Sequence, residues 1–241
     1  MADAAPTQVS VVIPAFNEAR RLPRTLGAWT EFFAHQPYAS ELIVVDDGSR
    51  DDTSAVAQAQ AGVRVLTLPA NRGKGAAVRT GMLEAAGRYV FYADADLNVA
   101  PGHLSQALRI FEQQLCDVVV GSRKLSAYAQ QERSLARLVA GGLVQVTRRS
   151  LVLPTIRDTQ CGFKGFRREI AQAIFQRARI DSFAFDIEAL FLARRLGCAI
   201  VELPVDTTYQ AESTFDVARH LRPFLADIAR IRLNALRDVY G

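Results

Sequence analysis

Five short apolar runs, four of them handed straight on to a helix-forming stretch, restrict this chain more than any other feature. VSVVIP (9–14) is followed by an amphipathic segment over 20–33, and ELIVVDD (41–47) by DDTSAVAQAQA (51–61). VRVLTL (63–68) precedes GKGAAVRTGMLEAAG (73–87). RYVFYAD (88–94) precedes a helix that Pro101 opens and that reaches Phe111, and CDVVVGS (116–122) is the fifth run. Strands that are apolar throughout, without polar alternation, are covered on both faces. Parallel neighbours need a crossover of about a dozen residues, which a helix between strands provides. The pattern predicts an α/β fold with a mostly parallel central sheet and helices on both faces.

After Ser122 the rhythm changes. Residues 132–153 read as a helix, with Leu135, Leu138, Val139 and Leu143 beside Arg133, Arg137, Arg148 and Arg149. DTQCGFKGF (158–166) reads as a loop and strand. Two helices follow, around 168–178 and 182–197, and then a strand, AIVELPVDTTY (199–209). The stretch 216–239 places Leu221, Phe224, Leu225, Ile228, Ile231, Ala235 and Leu236 on one helical face. The expected organisation is one domain over 1–215. Residues 216–241 form an amphipathic helix, packed on that domain or lying at a membrane surface. A chain of 241 residues, 49% hydrophobic, can bury a sufficient core without disulfides.

The net charge of +4 comes with no block of five like charges, which argues against a nucleic-acid tail. It suits phosphorylated ligands or an anionic membrane surface. Cys116, Cys161 and Cys198 share no metal-ligand spacing and read as reduced thiols of a cytoplasmic protein. The opening MADAAPTQ has no signal-peptide pattern, and no apolar run approaches the roughly eighteen residues of a spanning helix. Any membrane contact is expected to be peripheral, at the cytoplasmic face.

Ligands of such a sheet gather beyond the C-terminal ends of its strands. Three acidic clusters fall there: Glu18 after the first strand, Asp46 and Asp47 after the second, Asp94 and Asp96 after the fourth. Acids at strand ends also begin turns and cap helices, so one cluster alone says little. Two carboxylates separated only by Ala95 repel unless a positive charge sits before them. Asp94 and Asp96 suit Mg²⁺ or Mn²⁺, which share their coordination shell with phosphate oxygens. NRGKGAAVRTG (71–81) is not a Walker loop, because Gly75 follows Lys74 and Pro69 stands where glycine is required. Arg72 and Lys74 at a helix N-terminus can still hold a phosphate or the edge of a base.

VVIPAFNEARRL, ELIVVDDGSRDDT, NRGKGAAVRTGM, ADADL, VVVGSR and DTQCGFKGF stand in the order found in glycosyltransferase family 2. Over residues 9 to about 205 the chain resembles the dolichyl-phosphate β-glucosyltransferase and polyprenyl-phosphate glycosyltransferase branch of that family. The resemblance implies the GT-A fold and an inverting, metal-dependent hexose transfer from a nucleotide sugar. UDP-glucose is the implied donor and a polyprenyl or dolichyl phosphate the implied acceptor; a soluble hydroxyl acceptor, or GDP-mannose, is the alternative. It assigns Pro14, Ala15, Phe16 and Glu18 to a uridine pocket, Asp47 to the uracil edge, and Lys74 and Ala95 to the nucleotide. Asp94 falls at the ribose and metal side, and Asp96 becomes the main metal ligand. Arg123 receives the acceptor phosphate. Asp158 and Gln160 lie against sugar and diphosphate, and Asp186 is the implied catalytic acid. The branch carries a basic residue after its late strand, whereas YQAESTFDVARH (209–220) has Glu212, Ser213 and Thr214 there, leaving Arg219 or Arg222 to take over.

A hydroxyl nucleophile needs a carboxylate base, which Asp158 or Asp186 offers. A phosphate monoester is largely dianionic at neutral pH and needs cations instead, which Arg123 and the basic segment 133–149 offer. A sugar-phosphate nucleotidyltransferase would want a glycine-rich loop within 9–22, which is absent. A phospho-receiver module would leave residues 123–241 without a purpose.

Overall fold

The computed structural model describes residues 7–126, 156–207 and 217–241, with side chains of the last stretch given from Pro223 onward. The expected helix over 132–153 and the turn at 212–214 lie outside the described residues, as do the side chains of Arg219, Leu221 and Arg222.

Seven strands form one sheet: β1 (Val9–Ala15), β2 (Ser40–Asp46), β3 (Val63–Thr67), β4 (Tyr89–Ala93), β5 (Val118–Ser122), β6 (Phe163–Arg167) and β7 (Ile200–Pro204). Their order is β3-β2-β1-β4-β6-β5-β7. All neighbours are parallel except β6, which runs antiparallel to both β4 and β5. The strand expected over 199–209 stops at Pro204, beyond which only a single bridge joins Thr207 to Val99.

Helices α1 (Leu22–Ala34), α2 (Thr53–Ala59), α3 (Lys74–Glu84), α4 (His103–Glu112), α5 (Arg168–Arg177), α6 (Phe185–Arg195) and α7 (Val217–Leu236), with a short 3-10 turn at Arg123–Leu125, complete the described elements. Strand alternation divides the apolar side chains into two cores. Val9, Val11 and Ile13 of β1, with Tyr89 and Phe91 of β4, face Leu22, Leu26 and Trp29 of α1 and Leu104 and Phe111 of α4. Val12, Val90 and Tyr92 face α3, α5 and α6 on the other side. Double coverage is why these strands read as unbroken apolar runs.

Helix α7 rests on the second core through Ile228 and Ile231, flanked by Phe224 and Ala235. Leu225 and Leu236 do not share that face and are 39% and 83% exposed. At about 100° per residue they stand a quarter-turn or more away from the Ile228 stripe, so the apolar face expected from the sequence is only partly buried.

Helix α3 lies low against the sheet because Gly81 has no side chain: a Cβ there would overlap Val12 and meet Val45. Replacing Gly81 with Val should therefore overpack this contact and destabilise the fold by about 1–3 kcal/mol, read as a lowered denaturant midpoint with an unchanged m-value.

Candidate active site

The strand order reverses direction between β1 and β4, the topological switch point at which α/β sheets open a crevice. Here the two strands part early. Their ladder ends at the Val12–Tyr92 pair, while β1 continues beside β2 to the Ala15–Asp46 pair. Pro14, one residue beyond the parting but one, has no N–H to offer a further rung. The mouth of the crevice is framed by the segments after β1, β2 and β4, where the three acidic clusters lie.

At the end of β4 the turn carrying Asp94 and Asp96 is fixed from both sides. The Asp94 amide donates to Gly162 O (3.0 Å), and the buried Thr25 hydroxyl of α1 donates to Ala95 O (2.6 Å). Leu97 completes the turn with φ 55°. Ala95, expected at the nucleotide, is itself buried at 6% exposure and serves to anchor this turn. Asp96 accepts from the Asn98 amide (3.1 Å) and from its side chain (2.5 Å). Lys74 reaches Asp94 Oδ1 at 2.5 Å, which sets an ammonium against the Asp-Ala-Asp pair. Burial alone would raise Asp94, but Lys74 foremost, with Lys164 and Arg123, holds its carboxyl below the usual range. Asp96 is held above its usual range by burial and then by the negative charge of Asp94.

Behind the turn lies a second layer of charge. Lys164, on β6, is fully buried and donates to Asp186 Oδ1 (2.5 Å) and Cys161 O (2.7 Å), with the Tyr92 ring 5.4 Å from its ammonium. Asp186 also accepts from the Tyr92 hydroxyl. The residue implied as a catalytic acid is thus 4% exposed beneath the crevice, engaged by a cation and a phenol. Its position suits neutralising Lys164 better than meeting a substrate. Lys164 itself drew no notice in the sequence, although a lysine in the middle of GFKGF, a strand otherwise of glycine and phenylalanine, is the signal that could have marked it.

Arg123 and Asp158 face each other across 35 residues in a bidentate pair, Nε to Oδ2 at 2.7 Å and Nη2 to Oδ1 at 2.9 Å. The Arg123 amide adds a third contact to Oδ2 (3.1 Å). Burial pushes Asp158 up, but the Arg123 hydrogen bonds and charge outweigh it, so the carboxyl lies below its usual range. Asp158 is 3% exposed, whereas the Arg123 side chain is 48% exposed and still presents to solvent. Close by in sequence, Thr159 Oγ1 and Gln160 Nε2 are buried without a hydrogen-bond partner among the described residues.

The first two strand ends are occupied differently from expectation. Asp47 is buried, and its two oxygens accept the backbone N–H groups of Arg72 and Gly73, each at 2.8 Å. Those bonds shape the loop before α3 and commit both carboxylate oxygens of Asp47 to it. Gly73, at φ 107°, allows the loop to press on the Asp181 carbonyl, which accepts from Gly75 N at 2.7 Å. Glu18 is clamped by Arg21 through two bonds of 2.7 Å, and burial holds its carboxyl above the usual range. Pro14 and Ala15 are buried, while Phe16 stands 40% exposed at the mouth.

Comparison with known proteins follows this geometry. A family profile described as "Glycosyl transferase family 2" matches residues 10–175, from β1 through β6, and takes in Asp47, Lys74, Asp94, Asp96, Arg123 and Asp158. The chain belongs to glycosyl transferase family 2. It is a glycosyltransferase, and its seven-stranded sheet is the GT-A fold. Among its relatives is the dolichyl-phosphate beta-glucosyltransferase of Dictyostelium discoideum, 33% identical over 96% of this chain and 76% of that protein. The proteins of the same name from Drosophila melanogaster and Homo sapiens are 37% and 34% identical, each over 86% of this chain and over 68% and 69% of their own lengths. A solved structure of Mycobacterium tuberculosis glucosyl-3-phosphoglycerate synthase, in complex with Mn²⁺, UDP and glucosyl-3-phosphoglycerate, superposes with a TM-score of 0.71. It covers 95% of this chain and 80% of that one at 22% identity, a likeness of fold.

Family 2 membership raises the question of a divalent cation. Among the described residues no three His, Cys, Asp or Glu side chains gather into a cage made of protein alone. Asp94 and Asp96 nevertheless fit a hard dication that takes its other ligands from phosphate. They are oxygen donors on one turn, and the repulsion that raises Asp96 is what such an ion would relieve. The carboxylate of Asp94 is seated against Gly162, where a Cβ would overlap it. In this glycosyltransferase Gly162→Ala should displace Asp94 while leaving the fold intact. Binding of Mn²⁺, measured by calorimetry, should weaken about tenfold or more with little change in melting temperature.

Proposed function

We propose that this glycosyltransferase transfers glucose from UDP-glucose to a dolichyl or related polyprenyl phosphate, with inversion at the anomeric carbon. The observation that carries the reading is the cleft itself: Asp94 and Asp96 at the β1/β4 mouth, flanked by Lys74 and the half-exposed Arg123. The names of the 33–37% identical relatives support the choice of donor sugar and acceptor.

In the proposed reaction an oxygen of the acceptor phosphate attacks C1 of glucose as the bond from C1 to the diphosphate breaks, and UDP leaves with the electron pair. Asp94 and Asp96 would hold Mg²⁺ or Mn²⁺, which supplies Lewis-acid stabilisation of the leaving diphosphate when bound. Phe16 offers an apolar face for the uracil, beside the loop that Asp47 braces. Thr159 Oγ1 and Gln160 Nε2, without a hydrogen-bond partner among the described residues, are suited to sugar hydroxyls or diphosphate oxygens.

The acceptor phosphate arrives already ionised, so no carboxylate is needed to deprotonate it. Asp158 fits this chemistry as the orienting partner of Arg123. With both oxygens bound to the guanidinium it is a poor proton acceptor, and Arg123 is held rigid for a phosphate. Such an acceptor sits in a bilayer. Among the described residues no helix is long and apolar enough to cross one. The outward Leu225, Leu233 and Leu236 of α7, beside the exposed Arg230 and Arg232, support a peripheral contact.

Incubation with labelled UDP-glucose, Mn²⁺ and a short-chain polyprenyl phosphate tests the proposal. Label is expected in the organic phase, and chelation of Mn²⁺ should suppress it at least a hundredfold. Hydrolysis alone, transfer to a soluble hydroxyl, or a preference for GDP-mannose would each contradict it.

A further inference from the structure

Lys164, Arg123 and Lys74 face carboxylates of the crevice, and they differ in how firmly they are held. Lys164 is fully buried and bonded to both Asp186 and the Cys161 carbonyl. Arg123 is fixed by three hydrogen bonds to Asp158. The ammonium of Lys74 donates one hydrogen bond among the described residues, to Asp94 Oδ1, and its side chain is 23% exposed. It hangs from the first residue of α3 on a flexible stem, with the Phe185 ring 6.0 Å from its Nζ.

Asp94 cannot turn aside to accommodate a second cation. Its carboxylate is packed against the Gly162 backbone, with its amide tied to Gly162 O. An ammonium and a divalent ion competing for the same carboxylate repel each other strongly at a few ångströms. Of the two, the lysine on its flexible stem is the one that can move away to relieve the repulsion.

Resting on the reading of Asp94 and Asp96 as the cation-binding pair, we propose that Lys74 is the resident counter-ion of Asp94. It is displaced from that carboxylate when a divalent cation enters with its nucleotide, and moves onto the incoming diphosphate. A bare divalent ion must then evict the ammonium and leave it without a partner. An ion arriving with UDP brings two phosphates that receive it. The affinities for cation and for UDP are thereby coupled, and the coupling is reciprocal. Lys74 acts as a positioning residue that discourages an empty-handed metal and rewards the metal–nucleotide pair.

The probe is Mn²⁺ alone, titrated by electron paramagnetic resonance or calorimetry, and then Mn²⁺ with saturating UDP. Against the parent protein, Lys74→Met should bind Mn²⁺ alone about tenfold tighter. It should bind UDP in the presence of Mn²⁺ about tenfold more weakly, and UDP should enhance its Mn²⁺ affinity less. Lys74→Arg, which keeps a cation, should retain the weak affinity for Mn²⁺ alone. Adding Asp94→Asn to Lys74→Met should abolish the tightened binding. Lys74→Gln replaces the Met variant if circular dichroism shows the latter unfolded.

Mn²⁺ affinity no higher without the lysine, or a gain that survives Asp94→Asn, would overturn the inference. A parent protein that binds Mn²⁺ but no UDP would instead refute the donor proposed above. The comparison with Mn²⁺ alone would still decide the role of Lys74.

Discussion

The buried ammonium of Lys164 is the fixed charge around which the crevice is arranged. A lysine taken wholly out of water is tolerated only when paired and hydrogen-bonded. Asp186 and the Cys161 carbonyl meet that requirement, and Tyr92 occupies Asp186 in turn. From there the positive field reaches forward: Lys164 is among the charges that keep both Asp94 and Asp158 ionised. Lys164 is paired with Asp186, Lys74 with Asp94 and Arg123 with Asp158. Lys74, with one hydrogen bond among the described residues, is the least constrained of these cations, which is the property an exchangeable counter-ion requires.

Strand β6 makes this possible. Inserted antiparallel between β4 and β5, it brings the 158–162 loop to the same edge as the C-terminal ends of those two strands. The parallel strands end at that edge and β6 begins there. Gly162 then gives Asp94 its seat, Lys164 supplies charge from two residues further along the strand, and Asp158 reaches Arg123 just beyond β5. A parallel strand in this place would have delivered its preceding loop to the opposite edge. The parting of β1 from β4 provides the room, and the loop braced by Asp47 and Asp181 provides a rigid wall.

Much of this was legible in the sequence because burial leaves a periodic trace. VSVVIP, ELIVVDD and RYVFYAD could only be doubly covered strands, and the acids that follow them mark the edge where ligands gather. The motif order likewise carried the family. Strand direction leaves no such trace, so the reversal of β6 could not be read from DTQCGFKGF. Nor does a carboxylate announce its partner. Asp47 is committed to two backbone amides, Asp158 to Arg123, and Asp186 to Lys164, and each commitment depends on contacts distant in sequence. The C-terminal helix shows the same limit. Its apolar residues were countable, but which of them the core would cover depended on the surface they meet.

The most direct test of this charge arrangement is a crystal structure of the protein with Mn²⁺ and UDP. The account predicts Mn²⁺ at Asp94 and Asp96, the Lys74 ammonium shifted from Asp94 to the diphosphate, and the Lys164–Asp186 and Arg123–Asp158 pairs unmoved. A structure with UDP bound but the Lys74–Asp94 pair intact and Mn²⁺ held elsewhere would contradict it.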